Sequence, residues 1–149
     1  MDRAIDLAST FKESAGATPF GAVVVVGGSI VGEGVSLVVA HRDPTAHAEV
    51  LALREACARL GTHLLPEAEV YSSGYPCPLC LMACYWSQVN RVYYGAELQD
   101  SAAVGFEDDE FYHQLKLNPN ERSVAVLPAG QHFRSRAVVA LRAWQTRHH

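Results

Sequence analysis

Apolar positions recur along the chain with two different spacings, which predict alternating helices and strands. Residues 2–15 carry apolar side chains at helical spacing, and Gly16 would end that helix. Two valine-rich runs, 22–26 and 29–40, predict a β-hairpin that turns at Gly27 and Gly28. The remaining elements are helices over residues 43–60, 76–88, 108–117 and 130–147, and strands over 69–73, 91–95 and 123–127.

This order of elements predicts the fold class. Short strands that alternate with helices are typical of an α/β three-layer sandwich, here α/β/α around a central mixed sheet of five strands. No linker-like segment divides the chain, so residues 1–149 are predicted to form a single domain.

Composition and charge narrow the range of functions. The 149 residues are 49% hydrophobic and 19% charged, which is typical of a globular protein. The formal net charge is −4, so the chain lacks the general basicity of a nucleic-acid-binding domain, although the C-terminal region carries several arginines. The N-terminus lacks the apolar block of a secretory signal and the apolar runs are too short to span a bilayer, which predicts a cytoplasmic protein without membrane partners.

Two short segments carry residue types that serve metal chemistry. His47 and Glu49 belong to one, and Cys77 and Cys80 to the other, each beside a proline that marks a helix start. Without an export signal, cysteines favour metal binding or free thiols over disulfides. A His-x-Glu pair or a Cys-x-x-Cys pair alone is weak evidence, because both occur in ordinary helices and redox pairs. Together they are far more specific.

The combination has a chemical rationale. One imidazole, from His47, and two thiolates, from Cys77 and Cys80, provide three ligands for one Zn²⁺ ion and leave a fourth position for water. Two thiolates neutralise the charge of the metal and weaken it as a Lewis acid, so a proton acceptor beside the water is needed. Glu49, two residues after His47, is placed to take that proton. This order of residues is the general signature of zinc-dependent nucleobase deaminases, in which such a carboxylate delivers the proton to a ring nitrogen and then protonates the departing amine.

At these residues the sequence resembles the cytidine deaminase superfamily, and within it the bacterial guanine deaminase branch. The branch is indicated by Tyr85-Trp86 and by Gly105-Phe106-Glu107-Asp108. The superfamily resemblance is carried by Pro19-Phe20-Gly21-Ala22-Val23-Val24-Val25, Asp43-Pro44-Thr45-Ala46-His47-Ala48-Glu49-Val50 and Pro76-Cys77-Pro78-Leu79-Cys80.

The resemblance implies a fold, a chemistry and an assembly. It implies zinc on His47, Cys77 and Cys80, a proton shuttle at Glu49, and a small-molecule nucleobase-like substrate, with guanine converted to xanthine and ammonia as the leading reaction. It also implies a homodimer in which the C-terminal helix, about 130–147, crosses to the partner's site. The candidate substrate contacts are Phe20, Ser36, Ala48, Tyr75, Trp86 and Asp108.

Three features depart from the family pattern. Relatives carry a substrate-binding asparagine where this chain has Val35-Ser36-Leu37-Val38. Relatives read Ser-Cys-Glu where this chain has Ser73-Gly74-Tyr75, and guanine deaminases end in a longer tail. The departures concern the substrate pocket and leave the zinc chemistry intact.

Several alternatives remain open at the level of sequence. Cys84 lies one turn after Cys80 and is either a buried core thiol or a neighbour of the zinc, and His41 lies either at the pocket mouth or in solvent. The substrate could be another free base, a nucleoside or an aminotriazine. A tRNA adenosine deaminase and a non-catalytic zinc module are the other functions, disfavoured by the acidic charge and by the presence of Glu49, respectively.

Overall fold

The computed structural model describes residues 1–13 and 15–145, and its centre is one mixed β-sheet. The strand order is β2-β1-β3-β4; β1 pairs antiparallel with both β2 and β3, and β3 runs parallel to β4. The strands are β1 (Thr18–Val26), β2 (Ser29–Ser36), β3 (Glu69–Gly74) and β4 (Arg91–Ala96).

Seven α-helices and one short 3₁₀ turn, Thr10–Lys12, accompany the sheet in the described residues. The helices are α1 (Asp2–Ser9), α2 (Val38–His41), α3 (Ala48–Leu60), α4 (Pro78–Trp86), α5 (Leu98–Ala102), α6 (Asp108–Lys116) and α7 (Gln131–Gln145).

Glycines in the sheet allow helices to pack directly on both of its faces. A Cβ atom at Gly21 would collide with the backbone of α1, and one at Gly32 or Gly34 would collide with carbonyl oxygens of α3. Gly34 pairs with Ala22, the neighbour of Gly21, and successive strand residues face opposite sides of a sheet. Helix α1 therefore covers one face and α3 the other, which gives the predicted α/β/α layering.

The hydrophobic core lies between the sheet and the α3 face. Val24 and Val70 from the sheet are fully buried against Ala52 and Ala56 of α3, and Cys84 of α4 joins the same cluster. Small side chains on α3 bring the helix axis close to the strands. This packing fixes the first turn of α3, and with it the residues that carry the chemistry.

Two predicted helices begin or end at different residues because side chains bond to the backbone locally. The helix predicted over residues 2–15 ends at Ser9, since the hydroxyls of Ser9 and Thr10 donate to the carbonyls of Ile5 and Leu7. The helix predicted from residue 43 begins at Ala48. The Asp43 carboxylate accepts the Thr45 N–H at 2.8 Å and stabilises a separate turn.

Strand β2 is shorter than predicted, and a short helix takes its place. The prediction extended it to residue 40, but it ends at Ser36 and α2 follows. The Leu37 N–H donates to the Ala46 carbonyl at 2.9 Å, which diverts the chain away from β1. The residues after β2 thereby close over one end of the sheet.

The sheet has four strands, so the prediction of a fifth strand over residues 123–127 differs from the structure. Val124, Val126 and Leu127 are exposed, and no strand partner pairs with them in the described part of the chain. Strand-like composition alone is insufficient without a neighbour to satisfy the backbone groups.

The chain divides into two compact units, residues 1–112 and the residues from 113 onward. In the second unit, Arg122 donates to the carbonyls of Leu115 and Leu117, and the Ser123 N–H donates to the Gln114 side chain at 2.8 Å. Apolar residues of α7, among them Phe133, remain exposed. Residues 146 and 147 of the predicted C-terminal helix lie outside the described residues. None of the described helices has the length and apolar character needed to cross a membrane.

Candidate zinc and substrate site

Three potential metal ligands meet at one end of the sheet. The Sγ atom of Cys77 lies 3.5 Å from Nδ1 of His47 and 3.5 Å from Sγ of Cys80. All three ligand atoms lie within 4.8 Å of one another. This is the ligand set predicted from the sequence, with His47 contributing Nδ1.

The spacing of these atoms fits a tetrahedral zinc ion. Zn–S bonds of about 2.3 Å at a tetrahedral angle would separate two sulfurs by about 3.8 Å, and a Zn–N bond of about 2.0 Å would place nitrogen and sulfur about 3.5 Å apart. The observed separations of 3.5 Å are close to both values. Two thiols and one imidazole are also the donor types that zinc prefers.

Helix starts deliver these ligands. His47 is the N-cap of α3, and Cys77 is the N-cap of α4, with Pro78 in the first helical position. Free backbone N–H groups at a helix N-terminus favour negative charge nearby. Both helices therefore stabilise thiolates at the point where the ligands converge.

The charge state of the two cysteines reflects these contacts. Contacts with Cys80 and His47 lower the pKa of the Cys77 thiol to about 4, whereas the contact with Cys77 and burial raise the pKa of Cys80. The Cys77 contact also raises the pKa of His47. A zinc ion would hold both sulfurs as thiolates.

Glu49 is a buried carboxylate beside the ligands. It is 6% exposed, and its Oε1 accepts a hydrogen bond of 2.9 Å from the hydroxyl of Ser72 on β3. Burial raises the pKa of Glu49, so its carboxylate binds a proton more readily than an exposed one. Glu49 lies in the first turn of α3, two residues after His47, which places it next to the metal position.

A cavity of about 220 Å³ opens onto the ligands and Glu49. Five of the six predicted substrate contacts line it: Phe20, Ser36, Ala48, Tyr75 and Asp108. The rest of the lining, the substrate wall, is mostly apolar. In it the Phe20 ring meets the Phe106 ring edge-on at 4.8 Å, and Val38 and Val39 line the same cavity.

Polar groups on this wall are few. The Thr18 hydroxyl donates to the Ser36 hydroxyl at 2.6 Å, and both residues line the cavity. Ser36 occupies the stretch in which relatives carry asparagine. Asp108, at the start of α6, contributes a half-buried carboxylate whose pKa is raised by desolvation.

Tyr112 connects α6 to the metal-binding loop. Its hydroxyl donates to the carbonyl of Pro76, immediately before Cys77, at 2.7 Å. Desolvation raises the pKa of Tyr112 to about 12, so the hydroxyl stays a hydrogen-bond donor at neutral pH. Its ring also meets the ring of Tyr75 edge-on at 6.0 Å.

Three other residues considered from the sequence lie away from the cavity lining. Trp86, at the end of α4, is 84% exposed, so its predicted contact with substrate stays a prediction. Cys84 is a buried core thiol whose pKa is raised to about 12 by desolvation, and His41 is exposed on α2.

Sequence reasoning missed two hydroxyls and one ring. Ser72 holds Glu49, Thr18 holds Ser36, and Phe106 packs on Phe20. A polar residue at an inward position of a strand was a signal for Ser72. Phe106 belongs to the segment that indicates the guanine deaminase branch. Thr18 had no local signal, because its role depends on pairing between β1 and β2.

Comparison with known proteins agrees with this geometry. The family described as the cytidine and deoxycytidylate deaminase zinc-binding region matches residues 1–96. That range contains His47, Glu49, Cys77 and Cys80. The chain therefore belongs to this family of zinc-dependent deaminases, which are hydrolases.

Individual relatives are similar over most of the chain. Guanine deaminase from Bacillus subtilis is 42% identical over 124 residues, covering 83% of this chain and 80% of the relative. The X-ray structure of the guanine deaminase from that organism superposes with a TM-score of 0.90 at 37% identity, covering 97% of this chain and 90% of the other. The tRNA-specific adenosine deaminase of Haemophilus influenzae is 34% identical, covering 78% of this chain and 70% of the relative.

Proposed function

We propose that this protein is a guanine deaminase, which converts guanine and water to xanthine and ammonia. The observation that carries the proposal is the single cavity that joins the three zinc ligands, the buried Glu49 and the Asp108 carboxylate. The similarity to Bacillus subtilis guanine deaminase over most of the chain supports the choice of guanine.

The size of the cavity favours a free base. Sites for drug-sized ligands span roughly 300–1,000 Å³, and the volume here is about 220 Å³. A purine base is smaller than such ligands, whereas a nucleoside adds a ribose. The apolar faces of Phe20 and Phe106 are suited to a flat heterocycle.

The chain's own residues divide the chemistry between them. Zinc bound by His47, Cys77 and Cys80 would acidify a water molecule and stabilise the charge that develops on its oxygen. Glu49 accepts the proton of that water and transfers it to the ring nitrogen beside the amino-bearing carbon. The Ser72 hydroxyl orients the Glu49 carboxylate for both steps.

The second half of the reaction uses the same carboxylate. A carbon–oxygen bond has formed to the ring carbon, and the bond from that carbon to the exocyclic nitrogen must break. Glu49 takes the remaining proton of the water and delivers it to the amine, which leaves as ammonia with its own two hydrogens. The carboxylate is regenerated and the ring carbon retains the oxygen of water.

Asp108 provides the polar contact that suits guanine. Guanine presents N–H donors along its edge, and a carboxylate is an acceptor that can bind them. Asp108 lines the same cavity as Glu49, so one carboxylate can recognise the base while the other moves protons. The Ser36 hydroxyl accepts from Thr18, so its own hydrogen can be donated to a ring acceptor.

The decisive experiment is ammonia release by zinc-loaded protein. Guanine, adenine, cytosine, their nucleosides, an aminotriazine and a tRNA with adenosine in the anticodon loop would be compared side by side. We expect guanine to be converted with the highest kcat/KM, and Glu49→Gln to serve as the inactive control.

Other outcomes would redirect the proposal. Turnover of a different free base with guanine inert would keep the chemistry and reject the substrate. Activity on tRNA that falls steeply with salt would favour an adenosine deaminase, the main alternative because a tRNA-specific adenosine deaminase is among the relatives. The net charge of −4 disfavours that outcome.

We further propose that the enzyme is a homodimer and that α7 contributes to the partner's site. Helix α4 exposes Leu79, Met82 and Trp86 at helical spacing, an apolar face of the kind that marks protein interfaces. Light scattering tests this assembly by comparing Met82→Glu with the wild type. We expect the wild type to be a dimer and the variant to be a monomer with less activity. A cytoplasmic location and a single domain over the whole chain stay predictions.

A further inference from the structure

A side-chain hydrogen bond joins helix α6 to the loop that carries Cys77. The Tyr112 hydroxyl donates to the Pro76 carbonyl at 2.7 Å, and Pro76 is the residue before the zinc ligand Cys77. None of the residues of α6 is fully buried. Because no side chain of α6 is fully buried, contacts such as this hydrogen bond contribute to the position of the helix.

Asp108 and Tyr112 lie on the same face of α6. Residues four apart in a helix are neighbours on its surface. Asp108 lines the cavity together with His47 and Cys77, and Tyr112 contacts the loop that carries Cys77. Any movement of Tyr112 relative to Pro76 would therefore move the Asp108 carboxylate relative to the metal ligands.

Ring packing and the hydroxyl bond have separable effects. The Tyr112 ring meets Tyr75 at 6.0 Å, and Tyr75 in turn meets Tyr94 at 4.8 Å. These edge-on contacts hold the three rings together but permit small shifts. The hydroxyl bond to Pro76 favours a narrow range of length, so it restrains Tyr112 and, through the helix, the first turn of α6.

We propose that Tyr112 is a positioning residue for substrate recognition, which fixes Asp108 with respect to the zinc ligands through its bond to Pro76. The proposal rests on the proposed deaminase function, in which Asp108 binds the base. Tyr112 itself does not line the cavity. Its effect on the base is transmitted through Asp108.

A double-mutant cycle tests this assignment. Zinc-loaded Glu49→Gln protein, which does not turn over, serves as the background for measuring guanine binding by calorimetry. Tyr112→Phe, Asp108→Asn and the two combined are compared with Tyr94→Phe, a matched control that removes a hydroxyl from the same ring cluster. We expect Tyr112→Phe to raise the Kd about tenfold, and to change it by less than about twofold once Asp108 is already asparagine.

Zinc content and steady-state kinetics of the active enzyme provide a second test. In the active enzyme, Tyr112→Phe should raise KM with little change in kcat and should keep one zinc per protomer. Additive effects of Tyr112→Phe and Asp108→Asn, equal effects of Tyr112→Phe and Tyr94→Phe, or loss of zinc would each overturn the inference.

Amide hydrogen exchange gives a readout that needs no substrate. Tyr112→Phe is expected to accelerate exchange of the amides of residues 112–116, whose N–H groups bond to carbonyls of the first turns of α6, at least about fivefold, while Tyr94→Phe leaves it unchanged. Unchanged exchange in Tyr112→Phe overturns the positioning role even if guanine proves to be the substrate. Accelerated exchange with no binding or turnover of guanine would instead reject the proposed substrate. It would still support the role of the Tyr112–Pro76 hydrogen bond in positioning α6.

Discussion

The two sides of the cavity are built by different means. On the metal side, His47 and Cys77 are the N-caps of α3 and α4, and Glu49 lies in the first turn of α3, so each residue belongs to a short motif at a helix start. On the substrate wall, Thr18 and Ser36 come from two strands, with further residues from the loop after β3 and the start of α6.

This difference separates chemistry from specificity. The metal side needs a fixed set of ligands and one proton acceptor, and any change there removes the reaction. The substrate wall needs only a surface that fits the base, so we expect it to tolerate residues such as Ser36 and Tyr75 in place of those in the family pattern. Substitutions on the metal side should therefore affect zinc content or kcat, whereas substitutions on the substrate wall should affect kcat/KM with zinc content unchanged.

The largest effect is expected from a zinc ligand. Cys80→Ala removes one of three ligands, and zinc binding should weaken at least about 100-fold, with loss of activity. Cys84→Ala, one helical turn further, is the matched control and should retain zinc, because its buried thiol belongs to the core cluster. Zinc content by metal analysis checks both variants, and loss of zinc from Cys84→Ala would add Cys84 to the ligand set.

Glu49→Gln is expected to abolish catalysis without loss of the metal. The amide cannot accept the proton of water, so kcat should fall by about 10³-fold or more. Glu55 lies on the exposed side of the same helix, so the control variant Glu55→Gln should leave kcat unchanged. Turnover of Glu49→Gln near the wild-type rate, with zinc confirmed, would reject the proposed mechanism.

A smaller effect is expected from Gly74→Ala, which is next to Phe20 of the substrate wall. A Cβ atom at Gly74 would lie 3.3 Å from Cε1 of Phe20, which is closer than ordinary contact. The Phe20 ring must shift by a few tenths of an ångström, and kcat/KM should fall about threefold to tenfold while zinc content stays constant. If kcat/KM is unchanged for several bases, Phe20 is not part of the substrate wall.

The smallest effect is expected far from the cavity, at the ion pair between Arg3 of α1 and Glu33 of β2. Glu33 accepts from Arg3 at 2.7 Å, and this contact lowers the pKa of its carboxyl. Glu33→Gln should lower the Tm by about 2 °C or less at neutral pH.

The pH dependence of this difference has a defined sign. A lowered carboxyl pKa contributes stability above the ordinary value of the group, and this contribution is lost as the pH falls through the lowered value. The Tm values of wild type and Glu33→Gln should therefore converge at acidic pH. The exposed Glu67→Gln serves as control, and a difference that grows on acidification would contradict this account.

The metal side and the class of reaction could be predicted from sequence alone. Helix starts are local features, since a proline and a capping position are visible in a few residues, and the spacing of His47, Glu49, Cys77 and Cys80 dictates which side chains can converge. The layering of the fold was predictable for the same reason, because periods of two and 3.6 residues report which faces are buried.

Only the tertiary structure decided how the substrate wall is built. The Thr18–Ser36 pair depends on the register between two strands, and the Tyr112–Pro76 bond joins residues that are 36 positions apart. The early end of β2 and the start of α3 at Ala48 were decided by hydrogen bonds from Leu37 to Ala46 and from Thr45 to Asp43. Such contacts compete with local propensity only once the chain has folded, so periodicity could not reveal them.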